Sequence, residues 1–316
     1  MYSSVRRDAA YVARLADFIR REYRLAPTAI APAKRGFYGE TWKLTTASGR
    51  YFVKLDASEA HKAIYERSFP VIEHLRTHGV DFISKIVKTA GGTLSTRLDG
   101  AVLGVFDWID GEHIESDETK WPEYQMIAKV YTVPAGTLAI RREDFSASSA
   151  DCFFVLWGGL KHGPESEASA RTLAVFERHR ALLAHRAERL ALFAGLCQGD
   201  TSHFFITHGD AGGNLIQDGG KAYLVDWDDP VLAPPERDAW VMCPHGWAMD
   251  AFHAALRRNG IHYALHSERL AYYCYHSFFF YLTEYLEGFT QAETAAEIEG
   301  YFDGWVEGRL AYAESF

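Results

Sequence analysis

Two short stretches carry the densest chemical signal in this chain. Thr207-His208-Gly209-Asp210-Ala211-Gly212-Gly213-Asn214 places a carboxylate and then an amide in one loop, and Leu224-Val225-Asp226-Trp227-Asp228-Asp229 follows with further acids. Phosphoryl transfer asks for such a set. It needs a carboxylate to receive or orient the attacking hydroxyl, and oxygen ligands for Mg²⁺, which is held by carboxylates, phosphates and water. Asp210 suits the first task, and Asn214 with Asp226 the second. Taken singly, each stretch has a plainer reading, since a His-Gly-Asp is commonly a turn with a locally bonded Asp. Their order, with a hairpin between them, is what carries the assignment. His208 is expected to brace the loop rather than to act as a base.

A phosphate-binding half is expected toward the amino terminus. Gly36-Phe37-Tyr38-Gly39-Glu40 is a glycine turn opening a strand, where backbone N–H groups of Gly36 and Gly39 could approach ATP phosphates. Lys54 ends the apolar run Phe52-Val53-Lys54-Leu55, where an ammonium is costly unless paired with phosphate or carboxylate. Glu66 on the following helix is the expected carboxylate partner, with Glu73 in reserve.

The elements that must position these residues follow from periodicity. A helix over 9–22 precedes strands within 31–55 that turn at Ala47-Ser48-Gly49. A helix over 60–77 is expected to kink or break at Pro70. Short strand-like runs occupy 82–89, 92–98 and 101–106. Beyond Trp108 the pattern turns helical, over 119–132 and then over 165–197 as one long helix with Arg180 as its interruption. A hairpin over 214–227 turns on Asp218-Gly219-Gly220, and 239–313 is helical and aromatic. The cluster of Tyr272, Tyr273, Tyr275, Phe278, Phe279 and Phe280 is expected in the core. The chain therefore divides at about residue 106 into an amino-terminal nucleotide-binding lobe, 1–106, and a helical lobe, 107–316, that carries the catalytic loop and acceptor pocket. The fold class is α+β, with an antiparallel sheet and one main helix in the first lobe.

Composition narrows the function. Among 316 residues, 33 Lys+Arg stand against 42 Asp+Glu, for a net charge of −9. That balance disfavours a nucleic-acid surface, which needs clustered cations, and suits a cationic small partner. No apolar run reaches the roughly 20 residues of a membrane span, and the amino terminus does not read as a signal peptide. Cysteines 152, 197, 243 and 274 show no zinc-knuckle or redox spacing and read as reduced thiols of a cytoplasmic protein. His245, His253, His262 and His266 lack a ligand pattern. Of Asp229, Glu236, Asp238, Glu284 and Glu287 some are expected to be structural, Asp238 as a brace for the loop, and the rest would form a negative acceptor pocket if they converge near Asp210.

These residues resemble the aminoglycoside phosphotransferase and choline kinase superfamily, which shares the protein-kinase-like fold, and within it the spectinomycin-phosphotransferase-like members. The likeness runs through Tyr51 to Leu55, Ser68 to Gly79, Phe106 to Gly111, Phe176 to Leu192, His208 to Asn214 and Val225 to Asp238. It implies a bilobal fold in which Lys54 binds the α/β-phosphates and the backbone of Phe106, Asp107, Trp108 and Ile109 faces adenine. It also implies Asp210 as catalytic aspartate and Asn214 with Asp226 as Mg²⁺ ligands. Three residues separate Asp210 from Asn214 where the family usually has four, and the adjacent glycines would allow the tighter loop. The implied activity is an ATP- and Mg²⁺-dependent kinase, GTP not being excluded, for a hydroxyl of an amine-bearing acceptor such as an aminoglycoside or aminocyclitol antibiotic. Kinases of choline, homoserine or a similar metabolite, and a nucleotide-binding pseudokinase, are the alternatives.

Overall fold

The computed structural model describes residues 7–33, 39–113, 117–163, 165–211, 213–242, 245–288 and 290–316. The chain forms two units: Met1–Arg141 with Gly213–Pro230, and Arg142–Gly212 with Val231–Phe316. The first unit thus reaches past the boundary expected at residue 106 and takes in a hairpin from later in the chain. Pairing explains it. Strand β6 (Glu112–His113) hydrogen-bonds to that hairpin, and the Leu224 N–H donates to Phe82 O at 2.9 Å.

In the first unit, strands β1 (Pro27–Pro32), β2 (Glu40–Thr46), β3 (Gly49–Asp56), β4 (Thr96–Leu98) and β5 (Ala101–Asp107) form an antiparallel sheet in the order β1-β2-β3-β5-β4. Alternation along the strands sorts the side chains onto two faces. Trp42, Leu44, Val53, Leu55, Leu103 and Val105 bury against Leu15, Phe18, Ile19 and Tyr23 of α1 (Ala9–Tyr23). Lys54, one residue out of phase with Val53 and Leu55, therefore points to the opposite face. Against that face lies α2 (Glu59–Thr77), which runs on through Pro70, so the break that was one of the two expectations there does not occur. Residues 82–89, expected as a strand, contribute only an isolated bridge from Ile86 to Phe106. Helix α3 (Asp117–Val130) and the hairpin paired with β6 complete the unit.

The second unit is helical: α4 (Ser148–Lys161), α5 (Glu167–Arg178), α6 (Arg180–Cys197), α7 (Glu236–Ala239), α8 (Gly246–Arg258), α9 (Ser267–Gly288), α10 (Gln291–Tyr301) and α11 (Glu307–Ala313). Its two-stranded sheet pairs β7 (Phe205–Thr207) with β10 (Val231–Ala233). Helix α9 is the core element, packed by α4, α6, α10 and α11. Tyr272, Tyr273, Tyr275, Phe278 and Phe279 are buried as expected, whereas Phe280 is exposed. The single long helix expected over 165–197 is two helices. The chain breaks at His179, whose ψ of 14° leaves the helical range and whose ring stacks on Phe302 at 4.1 Å. Cys197 and Cys274 are buried free thiols, Cys152 is an exposed one, and Cys243 lies outside the described residues. Among the described residues no helix is long and apolar enough to cross a membrane.

Candidate functional site

The hairpin of the first unit, β8 (Leu215–Asp218) and β9 (Lys221–Leu224), closes on Gly219 and Gly220, both with positive φ. At its open end the Val225 N–H donates to Asn214 O at 2.9 Å, so Asn214 and Asp226 leave the same ladder end as neighbours. Trp227 fixes the exit, its indole N–H donating to Leu224 O at 3.0 Å. Asp226 is held at φ 65°, in the left-handed region that side chains with a Cβ rarely occupy and that recurs at functional sites.

Lys54 reaches this exit from β3. Its Nζ lies 3.2 Å from Asp226 Oδ1 and also pairs with Asp228, with 11% of the lysine side chain exposed. Burial works against the ammonium, but the two carboxylates outweigh it and hold the Lys54 pKa well above the ordinary lysine value. Asp228 is shifted up, by burial first, with Lys54 opposing and Asp226 adding. One ammonium shared by two carboxylates leaves a negative excess at an edge where Asp226 is still 42% exposed. Such hard oxygen donors suit Mg²⁺, and Asn214 on the neighbouring strand end is of the type that could join them. No three His, Cys, Asp or Glu side chains form a metal-binding group among the described residues. Mg²⁺ does not need one, because it is usually bound by one or two carboxylates with phosphates and water.

The expected partner of Lys54 needs correction. Glu66 is paired with Arg97 at 2.5 Å, and Glu73 with Lys88 at 2.6 Å. Helix phase is the reason: Tyr65 and Phe69, four apart, turn to the sheet, which rotates Glu66 toward solvent. Gly39 (φ 66°) precedes β2 beside Leu55 O, while Gly36 lies outside the described residues. The adenine-facing expectation for Phe106 to Ile109 also changes in part. The Asp107 N–H donates to Lys85 O at 2.9 Å and the Trp108 N–H to Arg50 O at 3.1 Å, so those two donors are committed within the unit.

In the second unit, β7 delivers the His208-Gly209-Asp210 loop. Buried Asp238 accepts from the His208 N–H at 3.2 Å and the Gly209 N–H at 2.6 Å. His208 Nδ1 in turn accepts from the Asp210 N–H at 3.2 Å, which makes it the brace expected of it. Gly209 has φ 88° and lies against the Arg237 guanidinium, where a Cβ would overlap that group. Arg237 Nη1 donates to Thr207 Oγ1 at 3.1 Å. The loop is therefore fixed through the three residues before the aspartate and through the aspartate's own N–H.

Asp210 Oδ1 accepts from the Tyr281 hydroxyl of α9 at 3.1 Å. Burial and then the Asp210 charge raise the Tyr281 pKa far above the ordinary phenol value, so Tyr281 stays protonated and donates. Tyr281 and Trp305 pack at nearly right angles, their ring centroids 5.3 Å apart. Sequence reading missed Tyr281, which lies beside a run of aromatics with nothing to single it out. It also missed the share of Asp228 in holding Lys54, although its alternation with Asp226 was visible.

Of the five acids, some of which were expected to be structural, three have other tasks. Asp229 pairs with Arg141 at 2.8 Å, Glu236 is buried under the Tyr263 hydroxyl and the His266 N–H, and Asp238 holds the loop. Glu284 lies one helical turn beyond Tyr281, and Glu287 three residues further. Burial, followed by Glu287, raises the Glu284 pKa to about 7.

Residues 29–273 match the sequence profile described as the phosphotransferase enzyme family. No curated protein matches the chain. Solved structures share its fold. A spectinomycin phosphotransferase in complex with ADP and spectinomycin has a TM-score of 0.79 at 16% identity, covering 96% of this chain and 98% of that one. A microcompartment-associated aminopropanol kinase has 0.62 at 13%, covering 96% of each. An amicoumacin kinase in complex with AMP-PNP and Ca²⁺ has 0.60 at 14%, covering 95% of this chain and 94% of that one. The α+β kinase-like fold expected from the sequence is the one these proteins have.

Proposed function

Because the chain belongs to the phosphotransferase enzyme family, we propose that it moves the γ-phosphoryl group of ATP to a hydroxyl of a small amine-bearing acceptor, an aminoglycoside or aminocyclitol. The observation that carries this reading is Lys54 held on Asp226 and Asp228, a cation and two acids of the kind that could exchange partners with phosphates and a divalent metal. Lys54 would bind the α/β-phosphates, and Asn214 with Asp226 would hold Mg²⁺. When bound, the metal would supply charge that offsets the phosphate oxygens. Asp210 would orient the acceptor hydroxyl and take its proton late, as the new P–O bond forms and the bond to the ADP oxygen breaks. No covalent enzyme intermediate is needed. Glu284 and Glu287 are the acids left to favour an ammonium. Proteins of this fold that act on spectinomycin and aminopropanol support an amino-alcohol acceptor. Reduced thiols and the use of ATP fit work in the cytoplasm.

The experiment is a panel of aminoglycosides, spectinomycin, choline, homoserine and aminopropanol with Mg²⁺ and ATP or GTP, read by the mass gain of the acceptor. A phosphorylated aminoglycoside or aminocyclitol is the expected result. Turnover of anionic acceptors alone would remove the amine assignment, and nucleotide binding without any transfer would favour a pseudokinase.

A further inference from the structure

An aromatic stack stands where α2 was expected to supply a carboxylate. Lys54 pairs across the sheet with Gly104, and a Cβ at position 104 would come within 2.6 Å of the Phe69 ring. The bare glycine is what admits Phe69 beneath β5. Phe69 meets Phe106 edge-on at 5.3 Å and stacks on Tyr65 at 5.7 Å with 9° between the planes. Tyr65, 1% exposed, then turns its ring to the ammonium, with Lys54 Nζ 5.0 Å from the ring centroid. That distance is within the range of a cation–π contact. The Tyr65 hydroxyl is buried and has no hydrogen-bond partner among the described residues. Burial keeps the phenol neutral. Its face is thus the part of Tyr65 that meets the charge.

We propose that Tyr65 is a positioning residue for Lys54, its ring holding the ammonium at the end of β3 in place of a carboxylate from α2. The proposal rests on the reading of Lys54 as a phosphate-binding residue. Its physical sense lies in the charge balance. Asp226 and Asp228 already place two negative charges on one ammonium. A third carboxylate would repel both of them and the incoming phosphates over a few ångströms, where Coulomb terms are largest. A ring attracts the cation through its quadrupole and adds no net charge. Lys54 can then exchange a carboxylate for a phosphate while its aromatic support stays the same.

The test uses the full chain with Mg²⁺ and a non-hydrolysable ATP analogue, without acceptor, so that binding is read apart from turnover. Y65F keeps the ring and removes only the unpartnered hydroxyl. It should bind the analogue within about twofold of the parent and unfold at the same temperature or higher. Y65L removes the face and should weaken binding about tenfold. In the ligand-free protein the Lys54 side-chain resonances, assigned by their loss in K54M, should be shifted upfield by the ring in the parent and in Y65F, and not in Y65L. If Y65L does not fold, Y65M carries the same comparison. Parent-like affinity in the folded Y65L or Y65M protein, or Y65F binding as poorly as Y65L, or no upfield shift in the parent, would overturn the proposal. If K54M itself binds the analogue like the parent, the phosphate role of Lys54 falls and takes the proposal with it. If K54M weakens binding and Y65L does not, only the role of Tyr65 falls.

Discussion

Asp228 in the first unit is half-buried and Asp238 in the second fully so, and the two are compensated differently. Asp228 is answered by a charge, the ammonium of Lys54. Asp238 is answered by hydrogen bonds from the backbone of His208 and Gly209, and its neighbour Glu236 by the Tyr263 hydroxyl and the His266 N–H. A charge can be exchanged for another charge with little change in shape. Backbone hydrogen bonds cannot, because each lost one leaves a buried donor unsatisfied at about 1–3 kcal/mol. The first arrangement suits partners that come and go, such as phosphates and a metal ion. The second suits a carboxylate that must be in the same place at every turnover.

The largest expected effect tests that division directly. D210A should lower transfer by about 10³-fold while the affinity for nucleotide stays within a few fold, measured by single-turnover kinetics and titration calorimetry. A parallel loss of nucleotide affinity would show that the loop also holds phosphates, and the contrast would collapse.

A smaller effect should come from Y281F, which keeps the ring against Trp305 and removes the donor to Asp210. Turnover should fall about tenfold with the KM for nucleotide unchanged, the size expected for one hydrogen bond to a charged group. A rise in nucleotide KM with unchanged turnover would assign Tyr281 to binding instead.

The smallest effect is on stability. Burial raises the Glu236 pKa to about 7, with the His266 N–H, Tyr263 and Arg269 opposing, from an ordinary value of 4.5. The folded protein therefore keeps this proton over a range in which the unfolded chain has released it. The contribution to stability is full below about pH 4.5 and is lost as pH rises through about 7, on the order of 3 kcal/mol across the window. E236Q keeps an oxygen that can accept from Tyr263 and His266 but does not titrate. The difference in unfolding free energy between the parent and E236Q should therefore shift in favour of E236Q over that interval. A difference that does not vary with pH would mean that Glu236 is ionised throughout.

What could be read in advance follows a physical line. The strand alternation around Val53 and Leu55 determines which way Lys54 points, and the order from His208 through Asp226 needs only local sequence. The partner of Lys54 depended on the rotation of α2, and one residue of phase separates Tyr65 from Glu66. That phase is set by the space above Gly104, which no local pattern reports. α5 ends at His179, whose ring stacks on the distant Phe302, so the three-four periodicity ran on through a break it could not register. The Tyr281 bond to Asp210 likewise joins residues far apart in the chain. Contacts decided by tertiary packing were the ones missed.

The first unit is assembled from Met1–Arg141 and Gly213–Pro230, with Arg142–Gly212 of the second unit intervening. During synthesis Lys54 therefore leaves the ribosome long before Asp226 and Asp228 exist. Until the later segment arrives, β3 carries an ammonium without its two carboxylates, whose place water must fill. The five-stranded sheet needs nothing from residues 213–230, but the ion pairs on Lys54 form only once that segment has been translated.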